Sequence, residues 1–184
     1  CADPGTSGEA LRKWQNNVET MKVVGVDAYQ LADAFYQRCM RDNDAVTACQ
    51  WAQKQLRYAP RTSVGMVRNR IAALDLAAGR KEKAAAYSRQ TVEILRTNLD
   101  PMPVGIFGPQ QALELVKALQ MIPGTPKQEI VDAANRALNH KHCPPQIRTQ
   151  LNGILDKIPI TELFSESADV VKVLRRSFPK TLFD

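Results

Sequence analysis

The sequence predicts an all-α protein made of antiparallel helical hairpins, and three observations carry that prediction. Residues 28 to 95 read twice, at a spacing of 36, as a pair of helices: Ala48 recurs as Ala84, Trp51 as Tyr87, Leu56 as Val92, Phe35 as Ile71 and Leu31 as Val67, with Asn43 recurring as Gly79 at the turn. A small residue followed three positions later by an aromatic is what close helix packing asks for, because the small residue lets two backbones approach and the ring fills the next layer. Elsewhere apolar residues return at intervals of three and four, the period of a helix face. Finally, the 184 residues are 44% hydrophobic but only 6% aromatic, a thin supply of rings for a β-sandwich and a normal one for helices packed with Ala, Leu and Val.

Residues 1–8 are small and polar and read as a tether. Leu11, Trp14, Val18 and Met21 then mark one face of a leading helix that stops near Gly25, with Trp14 either in its core face or an exposed anchor for a partner. Asp27 is placed to cap the next helix, whose apolar content is Tyr29, Leu31, Ala32, Phe35 and Tyr36 and which ends at Asp42-Asn43-Asp44. Its hairpin partner spans 45–58, with Pro60 beyond its end. Thr62 or Ser63 caps a third helix carrying Val67, Ile71 and Leu74 as far as Gly79, and a fourth runs over 81–95. These elements group as 9–97, a leading helix plus two hairpins. The stretch 98–108 collects Pro101, Pro103, Gly105 and Gly108 around Met102, Val104 and Phe107, and reads as a packed connecting loop between two sub-bodies.

The second sub-body is 109–184. Pro109 suits a first helical turn, and Ala112, Leu113, Leu115, Val116 and Leu119 form a face that ends at Pro123-Gly124. Thr125 then caps a helix with Pro126 at its first position and Ile130, Val131, Ala134 and Leu138 along it. Cys143-Pro144-Pro145 breaks that helix, and 146–158 follows with Ile147, Leu151, Ile154 and Leu155 inward. Ser165 or Ser167 caps a last helix bearing Val170, Val171, Val173 and Leu174. The tail beyond it carries Phe178, Leu182 and Phe183, apolar side chains suited either to the protein's own body or to a partner.

The formal net charge of +6 would favour an anionic partner. Yet the basic residues are scattered, and the densest runs, Arg80-Lys81-Glu82-Lys83 and Arg175-Arg176, have acids nearby. That is the pattern of solvated helix surfaces rather than of a nucleic-acid footprint. No run approaches the roughly 18 apolar residues that mark a membrane-spanning helix. Cys39 and Cys49 are equidistant from Asp44, the turn of the first hairpin, so their sulfurs are candidates for a disulfide across it in an oxidising compartment; two small buried thiols fit the same spacing.

Tests for chemistry find little. His140, His142 and Cys143 offer soft and borderline ligands one and two residues apart, with no fourth partner and no established zinc spacing, so no metal and no cofactor is expected. Cys143 beside a histidine is the one sequence-local nucleophile–base pair, and adjacency in sequence is not the geometry of a triad. There is no GxGxxG and no Gly-rich loop followed by Lys-Ser/Thr; Gly105 and Gly108 read as turn residues. Asp75, among Ala73, Leu74, Leu76 and Ala77, comes nearest to a carboxylate in an apolar setting, and a helix-surface position accounts for it. The expectation is a protein that is not an enzyme.

Ala48, Trp51, Ala52 and Pro60, followed by Gly79, Ala84 and Tyr87, resemble the signature of tetratricopeptide-type hairpins, in which a small residue opens the second helix, an aromatic follows and a proline closes the unit. The likeness covers 28–60 and 64–96; the second unit lacks the closing proline. What the resemblance implies is a short superhelix with additional C-terminal helices, and a concave surface lined by first helices that holds a protein partner. The corresponding positions are Gln30, Asp33, Gln37 and Arg41 in the first unit and Met66, Asn69, Ala73 and Leu76 in the second. A second resemblance concerns Cys1 and the small polar residues Ala2 to Gly8, which look like the start of a mature bacterial lipoprotein. It implies an acylated Cys1 and, from Ala2, sorting to the periplasmic side of the outer membrane. Together the two imply a non-enzymatic, lipid-anchored adaptor similar to secretin pilotins or envelope-assembly accessory proteins. The alternative is a cytosolic helical-repeat module that binds acidic protein or nucleic acid.

Overall fold

The computed structural model describes residues 25–159, and these are all helical apart from their connections. In chain order the helices are α1 (Gly25–Arg41), α2 (Ala45–Tyr58), α3 (Val64–Ala77), α4 (Lys81–Asn98), α5 (Phe107–Gln120), α6 (Lys127–Leu138) and α7 (Pro145–Leu155). Each of α1/α2, α3/α4 and α5/α6 packs as a hairpin. Successive hairpins meet through α2 against α3 and α4 against α5, while α3 touches α5 and α5 touches α7. First helices therefore lie beside first helices, and α7 takes that position at the end of the series. The leading helix and the 1–8 tether expected from the sequence, Cys1, and the 160–184 segment with Phe178, Leu182 and Phe183 lie outside the described residues.

The two turns expected from the 36-residue repeat have the same backbone solution. Asn43 has φ 57° and Gly79 has φ 76°, the left-handed conformation that ends a helix and that Asn and Gly reach at least cost. After the first turn, the Asp44 carboxylate accepts a hydrogen bond from the Thr47 backbone N–H at 3.0 Å and satisfies one of the orphan donors that open α2. Two of the repeat's paired positions share their fate in packing, Ala48 with Ala84 and Phe35 with Ile71, all fully buried; in the other three, Leu31, Leu56 and Tyr87 are half-buried where Val67, Val92 and Trp51 are buried. Phe35 stacks on Trp51 with ring centroids 4.3 Å apart and planes inclined by 22°. The Lys54 ammonium sits 4.3 Å from the centre of the same indole, so the ring is covered by a ring and a cation.

Two apolar cores result, and their seam is not at the 98–108 loop. One core joins α1, α2 and α3 through Phe35, Trp51, Val67 and Ile71; the other joins α4 to α7 through Leu95, Leu99, Val116 and Leu151. The boundary runs along the second hairpin, between α3 and α4. The loop does pack: Met102 rests on the second core, and Gly108 leaves room for it. Several helix ends differ from the sequence reading. Gly25 begins α1, which puts Asp27 in the first turn instead of at the cap. The hydroxyl of Thr125 donates to the Ile122 carbonyl at 3.0 Å, and Pro126 stands at the cap of α6. Helix α5 starts at Phe107, two residues before Pro109.

Candidate functional site

Helix periodicity sets Gln30, Asp33, Gln37 and Arg41 on one stripe of α1, and Met66, Asn69, Ala73 and Leu76 on one stripe of α3. Gln30, Gln37, Arg41, Ala73 and Leu76 are exposed and Met66 is half-buried. Between them a polar cluster ties three helices. The Asp33 carboxylate accepts from the Gln55 amide at 3.0 Å and, through the same oxygen, from the Arg70 guanidinium. Arg70 also donates to the Gln55 side-chain carbonyl at 3.1 Å, and its guanidinium carbon lies 4.6 Å from the centre of the Tyr36 ring. Gln55 is fully buried, so the network gives its amide both a donor and an acceptor partner that water cannot supply there. Burial pushes the Tyr36 hydroxyl above its ordinary range; Arg70 pulls it back and Asp33 adds to the rise.

Asn69 has a different place from its expected one on the partner surface. It is buried, and its amide donates at 2.8 Å both to the Glu114 backbone carbonyl and to the Glu114 carboxylate on α5. The other Glu114 oxygen pairs with Lys117 at 2.9 Å. Asn69 thus locks α3 to α5 and offers nothing to a visitor. The series continues beyond the repeat: α5 and α7 border a groove of about 380 Å³ lined by Gln110, Leu113, Glu114 and Lys117 from α5, by Gln146, Ile147 and Gln150 from α7, and by Ile106 and Pro144. The sequence reading missed this part of the face, because α5 and α7 fall outside the 36-residue repeat. Ile106 and Phe107 are 55% and 51% exposed and Val104 is 84% exposed, an apolar cluster beside that groove.

Two sequence expectations are corrected. Cys39 and Cys49 do not form a bridge; both are free, buried thiols. Equal distance from the turn does not by itself bring the sulfurs together, and the two thiols have different charged neighbours. Burial pushes the Cys39 thiol up, helped by Asp44 and Asp42 at the turn. Burial raises the Cys49 thiol too, and there the next charge is Asp75 of α3, with Lys83 and Arg80 opposing it. Asp75, expected on a helix surface, has no solvent exposure. Its carboxylate accepts from the Arg80 side chain at 2.7 Å and has the Lys83 ammonium at 3.9 Å, while the Arg80 N–H donates to its backbone carbonyl at 2.8 Å. Asp75 closes the α3–α4 turn.

At the end of α6 the His140 and His142 rings lie 5.9 Å apart, and the His142 N–H donates to His140 Nδ1 at 3.2 Å. The Cys143 thiol points to the Pro144 carbonyl at 3.9 Å, not to an imidazole. Among the described residues no three His, Cys, Asp or Glu side chains form a cluster that could hold a metal ion, and no helix is long and apolar enough to cross a membrane. Comparison of the chain with protein-family models, curated proteins and solved structures finds no match.

Proposed function

We propose that this protein is a non-enzymatic scaffold that holds a protein partner along the face made by α1, α3, α5 and α7. One observation carries the reading: four charged side chains of that face are tied in pairs, Asp33 to Arg70 and Glu114 to Lys117, so that apart from Arg41 at the end of α1 it is mostly amides and apolar groups, such as Gln37, Ala73, Leu76 and Gln110, that meet a visitor. A surface of this make-up gains affinity from burying apolar area and from side-chain amides rather than from ion pairing. The membrane placement belongs to the same proposal. It rests on the likeness of Cys1 and the small polar residues Ala2 to Gly8 to the lipid-attachment cysteine and tether of periplasm-facing lipoproteins of a secretion, pilus or other envelope assembly.

The test is site-specific photo-crosslinking in the native cell, with the probe at Gln37 or Ala73 and, on the second helix of a hairpin, at Arg89. The reading expects one discrete protein adduct from the first two positions and none from Arg89. Equal labelling at all three, or none at Gln37 and Ala73, removes it. Intact mass of the native protein separates the two parts of the proposal, because acyl chains on Cys1 support the envelope location and an unmodified Cys1 leaves only the scaffold.

A further inference from the structure

The α5–α7 groove has the chemistry of a site for an extended, largely apolar segment of chain whose side chains carry no net charge. Its volume of about 380 Å³ falls in the range of sites that bind small ligands and peptides. Leu113 is buried at its base, and Ile106 and Ile147 expose part of their side chains beside it. Among the described residues its only two charges, Glu114 and Lys117, pair with each other, and Glu114 is also held by Asn69. By contrast, the amides of Gln110, Gln146 and Gln150 make no side-chain hydrogen bond among the described residues. A primary amide can donate and accept at once, which suits an extended backbone presenting N–H and C=O groups in turn.

The chain carries a segment of that chemistry within reach. Residues 177–184 read Ser-Phe-Pro-Lys-Thr-Leu-Phe-Asp, with three large apolar side chains and one charge of each sign. Pro179 biases Phe178 toward an extended backbone, which lowers the cost of binding in that form. Helix α7 is 11 residues, about 16 Å, so the groove beside its first turns lies that far back from its end. The intervening residues 160–176 cover about 25 Å even if wholly helical. We propose that residues 177–184 dock in the α5–α7 groove of their own chain as a built-in ligand, with Phe178, Leu182 and Phe183 against Ile106, Leu113 and Ile147. A partner that uses this part of the face must then displace the tail. The inference goes beyond the scaffold proposal and does not depend on it.

The experiment uses the full chain and a fluorescein-labelled peptide with the sequence of residues 177–184. A tethered segment has an effective concentration in the millimolar range, so the wild-type groove resists the free peptide. The F178S/L182S/F183S variant vacates the groove and is expected to bind the peptide at least about tenfold more tightly than wild type does. Adding Ile106→Glu, a change at an exposed side chain, should abolish that binding while the thermal melt stays unchanged. Equal peptide binding by wild type and the triple variant overturns the proposal, as does binding that survives Ile106→Glu. If the triple variant binds nothing, side-chain amide NMR signals of Gln110, Gln146 and Gln150 decide independently: they must shift between wild type and the triple variant, and unchanged signals overturn it. A wild-type dimer that the triple substitution converts to monomer also overturns it, because the tail then occupies a second copy.

Discussion

Two glycines inside helices should respond in opposite directions to the same added methyl group. At Gly108, near the start of α5, a Cβ would stand 2.5 Å from the Pro103 carbonyl oxygen and 2.9 Å from Met102 Cγ. The first of these is backbone, so the 98–108 loop itself has to move, and Met102 is part of the second core. Forcing a methyl group into such a site costs about 1–3 kcal/mol, against a helix-propensity gain of about 0.5–1 kcal/mol from replacing glycine. At Gly153, in α7, an added Cβ meets nothing within 4 Å and the backbone is ordinary helix, so only the gain remains. Gly108→Ala should therefore lose about 1–2 kcal/mol net and Gly153→Ala should gain about 0.5–1 kcal/mol. For a chain of this size each kcal/mol shifts the melting temperature by about 2–4 °C. Urea titrations followed by circular dichroism measure both, and the slope should stay constant because neither change alters the surface exposed on unfolding. A Gly108→Ala protein as stable as wild type would refute the reasoning, since it would mean that the loop does not press on α5.

Four further outcomes follow. Trp51→Ala removes a ring stacked on Phe35 and capped by Lys54, and should cost about 3–5 kcal/mol in a urea titration. Asp75→Ala removes a buried acceptor of the Arg80 side chain and should cost about 1.5–3 kcal/mol, whereas a truly surface carboxylate would cost almost nothing. The Cys39 and Cys49 thiols titrate higher in the folded chain than in the unfolded one, so their contribution is complete below about pH 8.5 and is lost as pH rises through the folded values; urea titrations from pH 7 to 10 should show falling stability, and the Cys39→Ala/Cys49→Ala protein a shallower fall. A thiol-reactive dye at neutral pH should label Cys143 in the native protein well before Cys39 and Cys49, and full labelling in urea without reductant would show that the last two were never bridged.

How much of this was legible in the sequence depends on the range of the interaction. The first four helices and both of their turns follow from local pattern, because Ala48 and Ala84 or Asn43 and Gly79 announce their roles through small size and turn chemistry alone. Asp75 was misread for the same reason that the helices were read well. Its neighbours Ala73 and Leu76 are exposed, and the cations that neutralise it arrive from beyond the Gly79 turn, at positions 80 and 83. A carboxylate followed across a glycine turn by two cations was the available signal. The Asn69–Glu114 tie spans 45 residues and joins two helices of different hairpins, so no periodicity reports it. That Cys39 has Asp42 and Asp44 as its charged neighbours and Cys49 has Asp75 is likewise set by packing, not by their distance from the turn.

Those long-range polar ties matter for the proposed scaffold role because apolar packing alone leaves helix register loosely defined. Burial rewards area and has no direction. Hydrogen bonds at 2.8 Å from one amide to the Glu114 backbone and side chain do have direction, and they fix how far α3 can slide along α5. Asp33, Gln55 and Arg70 do the same across α1, α2 and α3. The seam between the two apolar cores runs between α3 and α4, yet α3 is bonded to α5 on the far side of it. Helices α1, α3 and α5 are thus held in register by buried and half-buried side chains beneath the face, and α4 and α6 by the Arg96–Glu129 pair and by Arg136, which donates to the Leu99 carbonyl at 3.2 Å. A partner seated on α1, α3, α5 and α7 would meet a surface whose spacing is already set, and would lose little of its binding energy to ordering it.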